Sequence, residues 1–544
     1  MSDQPRSTAL LTNSSEVRCR PRRIANTFIR QSDRTKGKTP MTTNNVLDIP
    51  TEHDVEILIA GSGFAGLGIA AALKRSGRED FVIIERAGDV GGTWRDNRYP
   101  GAACDVPSHL YSFSFRPNPQ WSRVFSPQAE IFGYLRETAR EEGLLPHVKF
   151  HEELLQAEWI ESDNSWRVRT SSSVYRARVL ITATGHLSDP KMPAIEGLDG
   201  FTGTLFHSAT WDESIDLAGK RVGVVGSGAS AIQIIPELQK TAEKLVVFQR
   251  SAAYVTPRHD RSYSEAEKRA FKRAPRLISQ MRSELFWANE ARFVERQAVP
   301  RLLDEVTKVA LDHLAAQVTD PQLRAALTPN YRIGCKRILK SNDFYPALQQ
   351  DNVHLDTRGI ARIEGSDIVL ADGSRHELDV LVMATGFEAS DLPIAHRVVG
   401  VDDTLLADQW KSGMQAYATT SVHNFPNLFI MNGPNSGLGH NSIIYIIETQ
   451  VEYIMGALDH MDAEHVEVIE VTAEAEEAYA ADLDARSQGT VWLTGGCENW
   501  YVDPRNGRLT TVWPDFAHTF REENAVFVAS PYVLTPKMSA VAAT

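Results

Sequence analysis

The chain has 544 residues, 42% of them hydrophobic, 23% charged and 8% aromatic, with a formal charge of −13. That length exceeds one ordinary core and predicts two or three domains. The composition is that of a globular chain and excludes disordered, collagenous and coiled-coil classes; the negative charge argues against nucleic acid as a main partner.

Residues 1–50 read as a disordered leader. The first 40 carry nine Lys/Arg and three Asp/Glu, a net of +6, which leaves −19 on the remainder. They contain no apolar run of the kind a secretory signal needs. An organellar transit peptide, a disordered tail and a start upstream of the true one at Met41 all suit this composition. Four cysteines, Cys19, Cys104, Cys335 and Cys497, are widely scattered. Without a CxxC pair they read as reduced thiols of a cytoplasmic protein. The longest uncharged stretch, 57–73, holds four glycines and starts as a strand and turn, so no transmembrane segment is expected.

VEILIA (55–60) is a buried-strand run followed at once by Gly61-Ser62-Gly63-Phe64-Ala65-Gly66. A helical stretch then ends at Gly77, and FVIIE (81–85) closes a βαβ unit with Glu85, 24 residues after Gly61. This is the dinucleotide fingerprint in its proper context. Gly61 permits the tight turn, Gly63 lets backbone approach a pyrophosphate, and Gly66 lets helix pack on strand. The helix N-terminus offers N–H groups and a positive dipole end, and Glu85 offers a carboxylate to ribose hydroxyls. Such a unit suits FAD.

The pattern returns at RVGVVG (221–226), with Gly226, Gly228 and, at the third position, Ala231. LVVFQR (245–250) is its second strand. Here the terminal acid is replaced by Arg250, followed by Ser251. A cation at that point suits the 2′-phosphate of NADP, with a solvent-facing arginine as the alternative. ITATGH (181–186) and VMATGF (382–387) bracket this unit. The expected fold is therefore α/β, with two Rossmann-like dinucleotide-binding domains. The FAD domain comprises 51–190 and 387–544, and the NADP domain, 191–386, is inserted in it. Within the insert, 262–330 reads as a helical excursion opened by a Ser264/Glu267 capping box, and ADGS (371–374) reads as a hairpin turn.

The cysteine spacing supplies neither a redox pair beside the flavin nor an iron–sulfur set, and no metal site is expected. Reaction of reduced flavin with O2 is the remaining economical use. The residues alone go no further.

Three motifs carry a resemblance. FTGTLFHSATWD (201–212), containing Phe201, Gly203, His207 and Trp211, resembles the fingerprint of type I Baeyer–Villiger monooxygenases. GGTWRDNRYPGAACD (91–105) is similar to that family's second pattern, and CKR (335–337) to its active-site Lys-Arg segment. The resemblance implies an NADPH-dependent flavin monooxygenase. FAD is reduced by NADPH, O2 adds at flavin C4a, and the peroxide attacks a ketone to give an ester or lactone through a tetrahedral adduct. It implies that Arg337 stabilises the anionic oxygens and that Asp105 holds Arg337 near the flavin. Gly92, Trp94 and Tyr111 would border FAD. Lys336 would join Arg250 on the 2′-phosphate, and Trp500 would contact NADP. Phe201, Gly203, His207 and Trp211 would couple the domains. Leu438, Gly439 and His440, in NGPNSGLGHNS (432–442), would border the substrate pocket. The expected partners are a small ketone and O2, with oligomeric state left open. A flavin monooxygenase acting mainly on sulfides or amines, and a redox-inactive flavin- or NADP-binding sensor, are the alternatives.

Overall fold

A mixed sheet and a parallel sheet set the positions of the two glycine turns. The computed structural model describes residues 52–297 and 299–537; the leader 1–50 lies outside the described residues. In the first sheet the strand order is Val398–Val399, Leu154–Ile160, Ser165–Thr170, Val174–Thr182, Glu52–Ala60, Phe81–Glu85 and Val148–Phe150. Leu428–Ile430 also pairs with Val174–Thr182. Glu52–Ala60 runs parallel to both of its neighbours, with Ala60 in register with Ile84 and Thr182. Its last four residues are buried, as a strand covered on both faces requires. That register delivers Gly61 beside Glu85 on one side and Ala183 on the other.

The second sheet is wholly parallel, in the order Val353–Asp356, Lys244–Phe248, Arg221–Val225, Val380–Met383 and Thr204–His207. All its strands fall between 204 and 383, while those of the first sheet lie at 52–182 and 398–430. The chain therefore leaves the first sheet, builds the second, and returns. Both crossings run side by side. Lys191 N donates to Gly386 O at 2.9 Å and Glu388 N to Asp189 O at 3.0 Å, and Thr385 Oγ1 donates to Lys191 O at 2.7 Å.

The helical excursion is present as Glu265–Arg273, Arg276–Glu290, Pro300–Gln317 and Pro321–Ala326. Its capping box is formed, with Ser264 N donating to Glu267 Oε2 at 2.8 Å and Glu267 N to Ser264 Oγ at 3.3 Å. Asp367–Leu370 and Arg375–Glu377 pair antiparallel around the 371–374 turn, where Gly373 has φ +84°. No helix among the described residues is long and apolar enough to cross a membrane.

One expectation is overturned. Cys335 and Cys497, 162 residues apart, are joined as a disulfide. Cys104 is a free buried thiol, and burial pushes its pKa up to about 12. Spacing along the chain says nothing about cysteines brought together by the fold, so their scatter was misleading.

Candidate active site

The first glycine turn is a cradle that side chains would fill. A Cβ on Gly61, at φ +107°, would meet Ala183 O at 2.6 Å, and one on Gly66 would meet Gly61 O at 1.9 Å. Gly63 is less confined, with Gly92 Cα 3.8 Å from its Cβ position, and Gly92 itself has φ +50°. The helix Phe64–Arg75 starts immediately after Gly63, so its free N–H groups face the turn. Trp94 Nε1 donates to Tyr111 OH at 3.1 Å, the rings edge-to-face at 5.6 Å. Both aromatics are partly buried against the core around this helix.

Glu85 is buried at the end of its strand. Its carboxylate accepts from Ser62 N at 3.1 Å, Ser62 Oγ at 2.7 Å and Ala87 N at 2.9 Å, and pairs with Arg95 at 2.9 Å. Arg95 carries no signal in the sequence beyond its charge; here it is a buried counter-ion to the fingerprint acid.

The second turn is more open. Gly226, at φ +121°, would drive a Cβ to within 2.5 Å of Ala384 O, whereas a Cβ on Gly228 would meet nothing within 4 Å. Ala231 starts the helix Ala231–Leu238. Ser251 O accepts from Ser227 Oγ at 3.0 Å, and Ser251 Oγ accepts from Lys336 Nζ at 2.8 Å. Burial, and then the positive charge of Arg250, lower the Lys336 pKa. The fold therefore gathers Arg250, Ser251 and Lys336, 85 residues apart, into one cationic spot.

Arg337 and Asp105 meet as a two-pronged pair. Arg337 Nε donates to Asp105 Oδ2 at 2.9 Å, and Nη2 donates to Oδ1 and Oδ2 at 2.7 Å each. Lys340 Nζ donates to Asp105 O at 3.0 Å. Burial opposes ionisation of Asp105, but Arg337, Lys340 and Arg258 together hold its carboxyl below the usual range. The adjacent carboxylate in turn raises the pKa of Arg337. This is a permanently charged fork fixed in orientation by a carboxylate. Tyr501 is buried beside it, and burial raises its pKa. Trp500 stacks on His186 at 6.0 Å and is 37% exposed.

The disulfide joins the residue just before Lys336 and Arg337 to the segment leading to Tyr501. Asn499 Nδ2 donates to Trp492 O at 2.9 Å in the same segment.

Gly203 is required because a Cβ there would meet Asp379 O at 2.4 Å. Phe201 packs with the cluster of Val246, Leu378 and Leu381, and Trp211 lies edge-to-face on Phe206 at 4.9 Å. His207 is buried, accepts from Ala209 N at 3.1 Å through Nδ1, and lies T-shaped at 5.8 Å from Phe387. Burial lowers its pKa, so it is neutral, with its proton on Nε2. It lies beside the returning crossing.

The 438–440 turn is partly buried. Leu438 packs with Leu110, Phe286 and Trp513. His440 Nε2 donates to Glu290 at 2.9 Å, and its ring lies 5.0 Å from Phe293. Glu290 also accepts from Asn441 Nδ2 at 2.7 Å, Ala517 N at 3.2 Å, His518 N at 3.0 Å and His518 Nδ1 at 2.8 Å. Burial alone would raise its pKa, yet these donors hold it at about 2. Neither Glu290 nor Arg296, which packs against the same turn, stands out in the sequence; both look like charges on amphipathic helices.

One further cluster, His354, Asp356 and His376, brings potential metal ligands within 4.8 Å of one another. Arg358 already donates to both oxygens of Asp356, at 2.9 and 2.6 Å, so a guanidinium neutralises that carboxylate.

Comparison with known proteins extends over most of the chain. The pyridine nucleotide-disulphide oxidoreductase family matches residues 58–276. A Baeyer-Villiger monooxygenase of Streptomyces coelicolor is 46% identical over 90% of this chain and 95% of its own length. A second Baeyer-Villiger monooxygenase, from Pseudomonas aeruginosa, is 42% identical over 88% of this chain and 91% of its own. Among solved structures, cyclohexanone monooxygenase from Rhodococcus sp. Phi1 bound to NADP+ has a TM-score of 0.81 at 28% identity, covering 89% of this chain and all of that one.

Proposed function

Because the chain belongs to the Baeyer–Villiger monooxygenase family, we propose that the Arg337–Asp105 fork is the reaction centre of its oxygen insertion. The chain is an NADPH-dependent flavin monooxygenase that converts a ketone to an ester or lactone. Ketone, O2, NADPH and a proton become ester, water and NADP+. The observation that carries the role of Arg337 is its two-pronged pairing with Asp105.

The residues fit both cofactors. Gly61, Gly63, Gly66 and Gly92 leave room for a dinucleotide at the first turn, with Trp94 and Tyr111 as the aromatic wall for FAD. Glu85 would offer its carboxylate to a ribose hydroxyl. Gly226 and Gly228 form the second turn, and Arg250, Ser251 and Lys336 take the 2′-phosphate of NADP. When bound and reduced by NADPH, FAD supplies the activated oxygen derived from O2. Asp105 occupies Nε and Nη2 of Arg337 and leaves Nη1 for negative charge developing on oxygen during the insertion. Arg337 cannot release a proton at working pH, so its charge is constant through the cycle. Tyr501 and the disulfide-bonded turn at Cys335 lie beside it. Phe201, Gly203, His207 and Trp211 hold the inserted part at the crossing, and Leu438 and Gly439 border the ketone. We assign 51–190 and 387–544 to the FAD domain and 191–386 to the NADP domain. The reaction is placed in the cytoplasm, where NADPH is regenerated; burial of Cys335 shields its disulfide sulfur from small thiols.

The test is a ketone panel under NADPH and air, with chromatographic identification of products and a count of ester per NADPH. Coupled ester formation is expected. NADPH consumption that yields only hydrogen peroxide from every ketone would refute the reading.

A further inference from the structure

Arg296 stands between the second and third helices of the excursion, Arg276–Glu290 and Pro300–Gln317, with only 6% of its surface exposed. It has one hydrogen bond, from Nη2 to Gly439 O at 3.2 Å. Its Nη1 has no hydrogen-bond partner among the described residues. The nearest carboxylate, Glu295, is 3.8 Å from Nη1 and forms no hydrogen bond with it. A buried charge without a hydrogen-bonded partner is costly, and native proteins seldom retain one without a use for it.

The surroundings indicate the use. A Cβ on Gly334 would lie 3.0 Å from Arg296 Nη1, and one on Gly439 would lie 3.3 Å from its Nε and 2.8 Å from Trp492 Cζ2. Gly334 immediately precedes the Cys335-Lys336-Arg337 run, so the second guanidinium adjoins the reaction centre, and Arg337 is close enough to repel it. Trp492 is 2% exposed, and its Nε1 is a second buried donor with no partner. His440 Nδ1 is also unpartnered. Since Nε2 donates to Glu290, Nδ1 carries the lone pair and is an acceptor. The corner thus holds two unspent donors, one of them charged. The cations suited to the NADP phosphate, Arg250 and Lys336, form a separate spot.

We propose that Arg296, aided by Trp492 Nε1, recognises a carboxylate carried by the ketone substrate, so that this enzyme prefers keto acids to neutral ketones. The inference rests on the ketone-oxidising reading above. A carboxylate presents two oxygens to a guanidinium and a neighbouring N–H, and charge-assisted bonds in a desolvated corner discriminate strongly against an uncharged analogue.

The experiment compares 4-acetylbenzoate with its methyl ester on the FAD-loaded enzyme with NADPH. The expected kcat/KM is at least tenfold higher for the acid, mainly through KM. Arg296→Gln should lower that ratio at least tenfold, Arg296→Lys should retain part of it, and Trp492→Phe should lower it a few fold. Equal use of both substrates by the native enzyme overturns the proposal, as does an Arg296→Gln variant that loses both equally. A raised KM for NADPH with the substrate ratio unchanged also overturns it, since the anion would then belong to the cofactor. Should Arg296→Gln fail to retain FAD, benzoate inhibition of the native enzyme decides: competition with the neutral ester is expected, and its absence refutes the site. If neither ketone yields ester, the ketone reading itself fails. Equilibrium binding of 4-acetylbenzoate against its ester then still tests Arg296.

Discussion

Arg337 and Arg296 adjoin the same glycine-bounded corner and are treated oppositely. Arg337 spends two of its nitrogens on Asp105, while Arg296 has a buried nitrogen with nothing to bind. The paired guanidinium is held in one orientation, as a charge that must meet a developing oxyanion has to be. The other, with Glu295 at 3.8 Å and no hydrogen bond to a carboxylate, keeps donors for something that arrives. Arg250 and Lys336 repeat the second pattern beside Ser251. Among the described residues a carboxylate is hydrogen-bonded to the cation that must be aimed and not to those that must receive an anion.

The comparison breaks most readily at Arg337. Arg337→Ala should reduce ester formation about a thousandfold, while NADPH still bleaches the flavin under nitrogen; stopped-flow reduction and product analysis separate the two. A variant that formed ester at the native rate would remove the distinction between the arginines.

Glu290 supports the Arg296 corner through His440. Its folded pKa of about 2 lies below the ordinary value of 4.5. Its contribution to stability is therefore complete above pH 4.5 and is lost as pH falls towards 2. That contribution is on the order of 3 kcal/mol. Melting temperatures of Glu290→Gln should fall below native at neutral pH and converge on native towards pH 3. A constant difference across that range would mean that the carboxylate is not ionised by its neighbours.

Asp105→Asn would make Arg337 resemble Arg296. A loss of about 10- to 100-fold in ester formation is expected from misorientation, with more NADPH diverted to hydrogen peroxide. Unchanged coupling would show that Asp105 does not aim the guanidinium. Lys336→Ala and Arg250→Ala should each cut the preference for NADPH over NADH about tenfold, read from kcat/KM ratios. A loss of rate with both nucleotides alike would place these cations elsewhere in the cycle.

Much of this was legible in the chain. The glycine turns are local geometry, and the residues that make them are contiguous, so their strands, helices and order could be read directly. The Asp105 and Arg337 roles came through motif resemblance, since residues 232 apart reveal no pairing by themselves. Arg296 and Glu290 were invisible because a charge on an amphipathic helix ordinarily faces water; only the docking of that excursion on the 438–440 turn buries them. Tyr501 carried no signal of its own, because burial beside an arginine distant in the chain leaves no local pattern. The disulfide was missed for want of any local signal.

That bond has a consequence for how the molecule comes apart. It ties a point in the insert to a point 162 residues later, closing a ring that contains the last strand of the second sheet and the return into the first. Such a ring removes roughly 5 kcal/mol of freedom from the denatured chain in the loop-entropy treatment. While it is intact, heat cannot loosen the second sheet without pulling on the first, and the two should melt as one body. Once it is reduced, each sheet is free to yield at its own temperature.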